Sequence, residues 1–355
     1  KRLLKETLIQ KNGDEYIFLT NEEQDVNKEI QNIAIDMGDI ILKIGEEIFD
    51  GIYNEKKYRY NARYHFDFNK IIDDRLLSSQ KSEMGLKIIT PYYDTGAPLT
   101  EQGLKMMSAR ENNLIVKLPM DTTFLEEMED ILKIQTYLLR KGASTSTLEI
   151  EEIRIRKSRE VTERKERVTN LLIEALKSAE LYANSQKLDI KSKNPTERIN
   201  EGFKFLIEGM YSKLNYITTF IESNKDLNDI LLEDNIQVKL IDDTPNKLAA
   251  DEVDNYIERN TERNIPMTLK SIVNLYEKAP YGWKDMDVKG IVLRLFKDQK
   301  IRLELGGEYL NEADKNLIDY LTKRDYQDRL IIKKRVKTPS RYINNVKDLA
   351  KEVFG

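Results

Sequence analysis

The chain has 355 residues, of which 40% are hydrophobic and 34% charged, and its formal net charge at pH 7 is −4. This composition is typical of a folded, helix-rich protein of two or three domains, and the charge creates no overall field that would attract nucleic acid or an anionic membrane. Because cysteine is absent, disulfides, thiolate metal sites and a cysteine nucleophile are excluded. The lack of cysteine suits a reducing cytoplasm, which is the location that we expect.

No run of residues approaches the roughly 18 consecutive apolar positions that a transmembrane helix requires, so we predict no membrane span. The first ten residues, KRLLKETLIQ, contain neither an initiator methionine nor an apolar leader segment. We therefore expect the chain to be a segment of a longer protein, and any activity to lie in the other parts of that protein.

The first predicted domain, residues 1–120, is an α/β region. It begins with a hairpin, because two strand-like runs flank an Asn-Gly pair that suits a tight turn. Asn21 is the predicted N-cap of one helix whose apolar face continues to Ile48. From residue 58 to residue 119 the apolar residues follow the period of strands, and polar loops separate the runs, so at least three further strands are expected.

The second predicted domain, residues 121–243, is helical. One helix extends to Leu139, and a second extends from Leu148 to about Leu188 after a break that contains glycine and serine. The first half of the second helix is strongly charged, with seven basic and three acidic residues between positions 154 and 167. We expect this half to project from the protein and the apolar second half to pack.

The charged half of this helix is a candidate contact surface for DNA or for an acidic partner protein. The basic residues selected there are Arg154, Arg156 and Lys157. Glutamates stand between the basic residues at spacings of three and four, which allow ion pairs along the helix. A self-paired, exposed helix is therefore the alternative interpretation, and the same two interpretations apply to the small basic run RVKTPSR at positions 335–341.

The third predicted domain, residues 244–355, has the element order of a winged helix-turn-helix. Two amphipathic helices are joined by the turn PYGW, and the run KIRLEL after them alternates apolar and polar residues as a half-buried strand does. A Gly-Gly pair can then reverse this strand into a wing, and a helix, the strand RLIIKKRV and a last helix follow. Trp283, the only tryptophan, is predicted to close the corner of the helical core, and Asp285 or Asp287 to cap the helix beside it.

The second helix of this unit and the strand after it carry candidate DNA or partner contacts, because the second helix enters the major groove in winged helices that bind DNA. The candidates are Lys289, Arg294, Lys297, Lys300 and Arg302. Between positions 284 and 302 there are six basic and three acidic residues, a small excess for a class of proteins that neutralises roughly 6–10 phosphates. The alternative is a winged helix used only for packing or for protein contact.

Catalytic and nucleotide-binding motifs are absent from the sequence. No glycine begins a G-x-x-x-x-G-K-[ST] or a G-x-G-x-x-G motif, so we expect no nucleotide site and no cofactor within the chain. His65 is the only histidine and is interpreted as an ordinary strand residue, because one histidine and a nearby aspartate are too few ligands for zinc. The carboxylate-rich stretches suit solvated helix faces, so no catalytic or metal-binding residue is assigned.

Two stretches of the sequence resemble known proteins. The run NGDEYIFLTNEEQDVNKEI, residues 12–30, and the run APYGWKDMDVKGIVLRLFKDQKIRL, residues 279–303, are similar to segments of the large P-loop ATPases of BREX bacteriophage-exclusion systems, the BrxC proteins and their PglY relatives. The charged helix between them and the C-terminal run NNVKDLAKEVFG stand in the order expected for that family. The resemblance implies a middle segment of a defence ATPase whose nucleotide-binding motifs lie outside this chain.

We therefore predict an α+β, helix-rich fold with an N-terminal hairpin and helix, a small mixed β region, a long helical arm and a C-terminal winged-helix-like unit. The predicted function is that of a non-catalytic segment of an anti-phage BREX ATPase, which mediates complex assembly or DNA contact. The expected partners are other BREX proteins, DNA and, through the parent ATPase, further copies of the same protein. The alternatives are a stand-alone winged-helix DNA-binding regulator and an enzyme that uses carboxylates, although no acid–base pair can be named for the latter.

Overall fold

The computed structural model describes residues 8–12, 15–78, 81–93, 99–141, 147–233 and 245–335, together with Val346, Leu349 and Glu352. The chain divides into two compact units, Lys1–Gly209 and Met210–Gly355. This division does not coincide with the predicted boundaries after residues 120 and 243. Residues 121–209 belong to the first unit because two strands within them complete its sheet.

The first unit combines helices with a central sheet, as the predicted α+β class requires. It begins with strands β1 (Ile9–Asn12) and β2 (Glu15–Phe18), helices α1 (Asn21–Gln31) and α2 (Met37–Glu46) and a π-helical turn (Glu47–Ile52). Strands β3 (Lys57–Arg59), β4 (His65–Asp67), β5 (Asn69–Ile72), β6 (Arg75–Leu76) and β7 (Gly85–Ile89) follow, and then helix α3 (Glu101–Glu111) and strand β8 (Asn113–Lys117). The last elements are helices α4 (Thr123–Lys141) and α5 (Leu148–Ser178), strands β9 (Glu180–Ala183) and β10 (Gln186–Leu188), and helix α6 (Pro195–Met210).

The sheet of the first unit has the strand order β10-β9-β8-β7-β5-β6 among the described residues. Strands β5, β7 and β8 are parallel, and the other neighbours are antiparallel. Every residue of β7 is buried, as expected for a parallel strand that is covered on both faces. The prediction of at least three further strands between residues 58 and 119 is confirmed.

The single helix predicted to start at Asn21 is instead two helices, α1 and α2. Thr20, not Asn21, caps α1: its hydroxyl accepts a bond from the backbone N–H of Glu23, and the Glu23 carboxylate accepts one from the N–H of Thr20 at 2.9 Å. Asp36 caps α2 by accepting a bond from the N–H of Gly38 at 2.7 Å. Two capped starts break the helix because each cap satisfies N–H groups that have no partner within its own helix.

The second long helix ends earlier than predicted, and strands β9 and β10 follow it. Helix α5 ends at Ser178, whereas the apolar pattern predicts a helix to Leu188. Asn184 and Ser185 have positive φ angles of 49° and 65°, which suit a two-residue hairpin turn. Tyr182 pairs with β8, so this segment gains backbone hydrogen bonds at the edge of a sheet that the rest of the unit has already formed.

Helices α4 and α5 pack against each other along their length as an arm, because the segment that connects them is short. The prediction that the charged half of α5 projects is wrong. One face of that half is buried and includes Ile153, Lys157, Glu160, Val161 and Arg164. Charged side chains can lie on this face because they form ion pairs with one another.

The second unit has a three-helix core and one small sheet. Its elements in chain order are a 3₁₀ turn (Leu214–Tyr216), helices α7 (Asn224–Leu232) and α8 (Lys247–Glu262), strand β11 (Met267–Thr268), helices α9 (Leu269–Tyr276) and α10 (Asp285–Lys297), strands β12 (Ile301–Leu305) and β13 (Glu308–Tyr309), helices α11 (Leu317–Thr322) and α12 (Arg324–Gln327), and strand β14 (Ile331–Lys334). The sheet has the order β11-β14-β12-β13 and is antiparallel.

The succession of α8, α9, α10, β12 and β14 confirms the predicted winged helix-turn-helix. The wing is enlarged, because β13, α11 and α12 lie between the hairpin turn and the returning strand β14. The turn consists of Gly306 and Gly307, whose φ angles of 63° and 90° are readily adopted only by glycine. The predicted last helix lies mostly outside the described residues.

Trp283 closes the corner of the winged-helix core, as predicted. The side chain is 1% exposed, and its ring is stacked on Tyr276 with 4.8 Å between the ring centroids. Its indole N–H donates to the carbonyl oxygen of Lys213 at 2.9 Å. The predicted aspartate cap is absent. Helix α10 begins at Asp285, so its N-cap residue is Lys284, and that side chain forms no capping hydrogen bond. Asp287 instead accepts a hydrogen bond from the N–H of Ile221 at 2.9 Å.

Candidate nucleic-acid and partner interfaces

Helix α10 occupies the position from which a DNA-reading winged helix enters the major groove. In this chain its outward side is covered by the segment that contains α7. Leu293 is fully buried, and Gly290 lies so close to Ile221 that a Cβ atom at Gly290 would be 2.7 Å from the Ile221 side chain. A major groove therefore has no access to this side of α10 in the structure.

Two of the predicted contact residues on α10 are buried, and their charges are satisfied within the second unit. Lys289 is 2% exposed and its Nζ donates to Asp285 at 2.6 Å. Lys297 is 8% exposed, and its Nζ donates to the carbonyl oxygens of Ile230, at 2.6 Å, and Glu233. These carbonyls lie at the C-terminal end of α7, where a cation is favoured. In the structure, Lys289 and Lys297 are therefore held inside the second unit and are not presented to DNA or to a partner.

Arg294 is also turned toward the covering segment. Its guanidinium lies 3.4 Å from the Glu233 carboxylate, and its side chain is 14% exposed. Sequence periodicity places Arg294 and Lys297 on the outer face of α10 correctly, but it does not show that α7 covers this face. Arg294 is thus a residue of an internal helix contact.

The other two predicted residues of this unit, Lys300 and Arg302, lie on the outer face of the sheet. Arg302 stands directly opposite Lys333 in the pairing of β12 with β14. Lys300 lies one step before this pairing, and its carbonyl oxygen accepts a bond from the N–H of Arg335 at 2.9 Å. Because side chains alternate along a strand, these four basic residues share one face of the sheet.

The ring of Tyr309 lies on the same face as this basic ladder, since Tyr309 pairs with Glu304. The guanidinium carbon of Arg302 is 5.3 Å, and the Nζ of Lys333 is 6.0 Å, from the centre of the Tyr309 ring. Lys333 and Tyr309 were not among the predicted contact residues, whereas Arg335 begins the basic run RVKTPSR that was. The alternation in RLIIKKRV places Lys333 and Arg335 on one side, but only the strand register places them opposite Arg302 and Lys300.

The predicted contact residues of the first unit are bound within that unit. Lys157 is 6% exposed, and its Nζ donates to Gln10 at 2.7 Å and to Glu160 at 2.8 Å. Arg154 is paired with Glu151 at 2.9 Å. Arg156 is the most exposed of the three, with 60% of its side chain accessible, and it forms an ion pair with Glu23 at 2.8 Å. Ion pairs within α5 are thus present, as in the alternative interpretation, but Arg156 and Lys157 also contact other elements and the helix is buried on one face.

A buried network of ion pairs joins α5 to α4 and to the N-terminal hairpin. The Arg164 guanidinium contacts Glu160 at 2.9 Å, Glu127 at 2.8 Å and Asp130 at 3.1 Å. Glu160 also accepts a bond from Gln10 of β1 at 2.6 Å. Buried charges are tolerated when each has an opposite partner and further hydrogen bonds, so this network explains why a strongly charged helix can be buried on one face.

Glu160 makes the stability of the first unit depend on pH. Burial pushes the pKa of this carboxyl up, but the positive charges of Lys157 and Arg164 and a hydrogen bond from Gln10 outweigh burial, so its pKa lies below the ordinary value. A carboxylate with a lowered folded-state pKa stabilises the folded state above its unfolded pKa of about 4.3, and this contribution is lost as the pH falls through the lowered value.

We therefore expect the variant Glu160→Gln to be less stable than the wild type at neutral pH. The difference in the free energy of unfolding should shrink as the pH falls below about 4.3, because the wild-type carboxyl then becomes neutral as well. Urea unfolding of both proteins at a series of pH values from neutral to acid measures this difference. A difference that stays constant over the series would contradict the lowered pKa.

Aliphatic side chains are exposed at the end of the α4–α5 arm that lies nearest the connection between the two helices. Leu139 of α4 is 83% exposed, and Leu148 and Ile155 of α5 are 85% and 54% exposed. Leu148 and Ile155 are two helical turns apart and lie on one face of α5. We refer to Leu139, Leu148 and Ile155 as the arm tip. Burial of these exposed aliphatic side chains against another protein would remove apolar surface from water, which is favourable.

Metal-binding clusters and membrane-spanning helices are absent from the part of the chain that the structure describes. Within the described residues, no group of three or more His, Asp and Glu side chains could hold a metal ion. In the same residues, no helix is long and apolar enough to cross a membrane. His65 is exposed at the start of β4, which agrees with its interpretation as an ordinary strand residue.

These features define a protein with a winged-helix domain that follows a domain built on a mixed six-stranded sheet. Family models agree with both domains: BREX ATP-binding protein BrxC 4th domain with six-stranded beta sheet matches residues 33–206, and BREX ATP-binding protein BrxC winged helix-turn-helix domain matches residues 213–336. The chain belongs to the BrxC family of BREX ATP-binding proteins and is a component of a BREX phage-exclusion system. No solved structure matches the chain.

Proposed function

We propose that this chain is a non-catalytic segment of a BREX ATP-binding protein and that it serves in the assembly of the BREX complex. The observation that carries this proposal is the covered face of α10. Lys297 holds the C-terminal carbonyls of α7, and Ile221 lies against Gly290, so the helix that reads DNA in other winged helices forms an internal contact here. Helix α10 then acts as a structural element of the winged helix and not as a DNA-reading helix.

The arm tip supports an assembly role because it offers apolar surface at exposed positions. Leu139 and Leu148 are each more than four-fifths exposed, and burying a leucine side chain contributes about 1.5–3 kcal/mol. The ion-pair network holds α5 against α4, so the tip belongs to a packed pair of helices. A preformed surface with aliphatic anchors binds a partner at a low cost in conformational entropy.

The alternative of a stand-alone regulator that reads DNA sequence with the second helix of its winged helix requires α10 to enter a major groove. That arrangement would require α7 to leave α10, and Leu227 and Ile230 of α7 are 0% and 4% exposed. Exposing these two side chains to water would cost several kcal/mol, at about 1.5–3 kcal/mol for each. The membership of the BrxC family also favours a segment of a larger ATP-binding protein. In that protein the nucleotide-binding motifs lie outside this chain, because the sequence contains no P-loop.

We expect the double variant Leu139→Glu with Leu148→Glu to reduce recovery of the chain with its partner at least about tenfold, because a loss of 1.4 kcal/mol already corresponds to a factor of ten. Each of the other BREX proteins is co-expressed with the tagged chain, and co-purification is quantified. Leu248→Glu is the matched control, since Leu248 is a 60% exposed leucine of the second unit. Equal recovery of the tip variant and the control would contradict a contact at the arm tip, and ATP turnover by the purified chain would contradict its non-catalytic nature.

A further inference from the structure

The outer face of the winged-helix sheet carries a ladder of four cations in two rungs. Lys300 and Arg335 form one rung, and Arg302 and Lys333 form the next. Residues opposite each other in antiparallel strands have Cβ atoms about 4.5–5.5 Å apart, and successive outward residues of one strand are about 7 Å apart. The register of β14 against β12 thus brings four positively charged side chains together, with their Cβ atoms on a patch of about 5 by 7 Å.

Like charges that stand opposite each other destabilise a sheet, and this ladder is only partly neutralised. Lys333 has a carboxylate partner, Glu304, at 2.6 Å. Among the described residues, no carboxylate lies within ion-pair distance of Lys300, Arg302 or Arg335. The patch therefore retains net positive charge, and an external anion would stabilise it.

The aromatic ring beside the ladder indicates which kind of anion would bind there. Tyr309 is 57% exposed, and the cations of Arg302 and Lys333 lie over its ring. A guanidinium group binds phosphate through two parallel N–H bonds, which suits a phosphodiester. Aromatic side chains next to cations also provide stacking surfaces for bases in proteins that bind single strands.

We infer that this outer face binds the sugar-phosphate backbone of DNA. Each DNA strand carries one negative charge per about 3.4 Å of helix axis, so a ladder of this size can meet two to four neighbouring phosphates. DNA contact would thus occur through the sheet, on residues different from the covered face of α10. Such binding follows the backbone and has no preference for base sequence. This inference does not depend on the assembly role of the arm tip.

The test is fluorescence anisotropy of the 355-residue chain with a labelled duplex and with labelled oligothymidylate over a salt series. For the duplex, the plot of log K against log salt should have a slope between about −2 and −4, because each phosphate contact contributes about −0.9. The double variant Arg302→Ala with Lys333→Ala should weaken binding at low salt at least about tenfold and reduce the slope by about 2. The charge-matched control is Lys270→Ala with Lys323→Ala, two exposed lysines of the same unit that are paired with Asp328 and Asp319.

The variant Tyr309→Ala separates the two forms of DNA. A loss of more than about fivefold for oligothymidylate but not for the duplex supports stacking on a single strand, and an equal small effect on both supports contact with a duplex backbone alone. The inference is overturned if the wild type shows no salt-dependent binding to either DNA, or if the control double variant loses as much affinity as Arg302→Ala with Lys333→Ala. Because the arm tip is unchanged in these variants, co-purification with BREX proteins tests the assembly role separately.

Discussion

Replacing Arg164 with alanine is expected to lower the free energy of unfolding of the first unit by about 3–5 kcal/mol. The Arg164 side chain is 5% exposed and lies within 3.1 Å of three carboxylates, those of Glu127, Asp130 and Glu160. Its removal leaves negative charges close together, two of them largely buried, without the cation that neutralises them. Breaking a buried ion pair by deleting one partner costs more than the pair contributes, because the remaining charge stays desolvated.

Arg156→Ala is the matched control on the same helix. Arg156 has one ion-pair partner, Glu23, and 60% of its side chain is exposed, so the expected loss is below about 1 kcal/mol. Because two units need not unfold together, urea unfolding followed by circular dichroism is combined with hydrogen exchange. Arg164→Ala should reduce protection of α4 and α5 while the second unit keeps its own. Equal decreases in the free energy of unfolding of the two variants would show that the Arg164 ion pairs contribute no more than an exposed ion pair does.

Replacing Trp283 with alanine is expected to destabilise the second unit by about 3–5 kcal/mol, the usual cost of removing a large buried aromatic side chain. The ring is stacked on Tyr276 at 4.8 Å and lies edge-on to Tyr281 at 5.0 Å. Its N–H also ties the residues before α7 to the turn, through the carbonyl oxygen of Lys213. The variant thus loses apolar burial, ring stacking and one hydrogen bond at the same point.

Trp283→Phe keeps an aromatic ring and loses the N–H, so we expect it to lower the stability of the second unit less than Trp283→Ala does. Tyr309→Ala is the exposed aromatic control in the same unit and should change the stability by less than about 1 kcal/mol. Thermal and urea unfolding, together with hydrogen exchange of α8, α9 and α10, measure these differences. If the amides of these helices are as well protected from hydrogen exchange in Trp283→Ala as in the wild type, the tryptophan does not hold the corner of the core.

The sequence predicted the elements of the winged helix well because their determinants are local. The PYGW turn, the alternation in KIRLEL and the Gly-Gly pair each depend on a few neighbouring residues. The same is true of the strands between residues 58 and 119. The predictions failed where a distant segment decides the outcome. Helix α5 ends at Ser178 because β9 finds a partner in β8, and periodicity within residues 148–188 contains no information about that partner.

The candidate contact residues show the same division. Arg302 is exposed and Lys300 is half-buried on the outer side of the sheet, since alternation along a strand defines its two faces. Arg294 and Lys297 also lie where helical periodicity places them, but a segment some sixty residues earlier covers that face. A basic residue that ties down a helix end and one that contacts phosphate are identical in a linear pattern, because the difference lies only in what packs against them.

The sequence by itself determined the class of the protein: its α+β character, the winged helix, the lack of a P-loop and the family to which it belongs. The first three follow from composition, short motifs and local periodicity, and the family follows from the resemblance of two stretches of the sequence to BREX ATPases. Only the tertiary structure decided which charges are available to partners. The register of β14 against β12 creates the cation ladder, and the packing of α7 on α10 removes the expected DNA-reading face. Both depend on contacts between residues far apart in the chain, which a linear sequence pattern does not record.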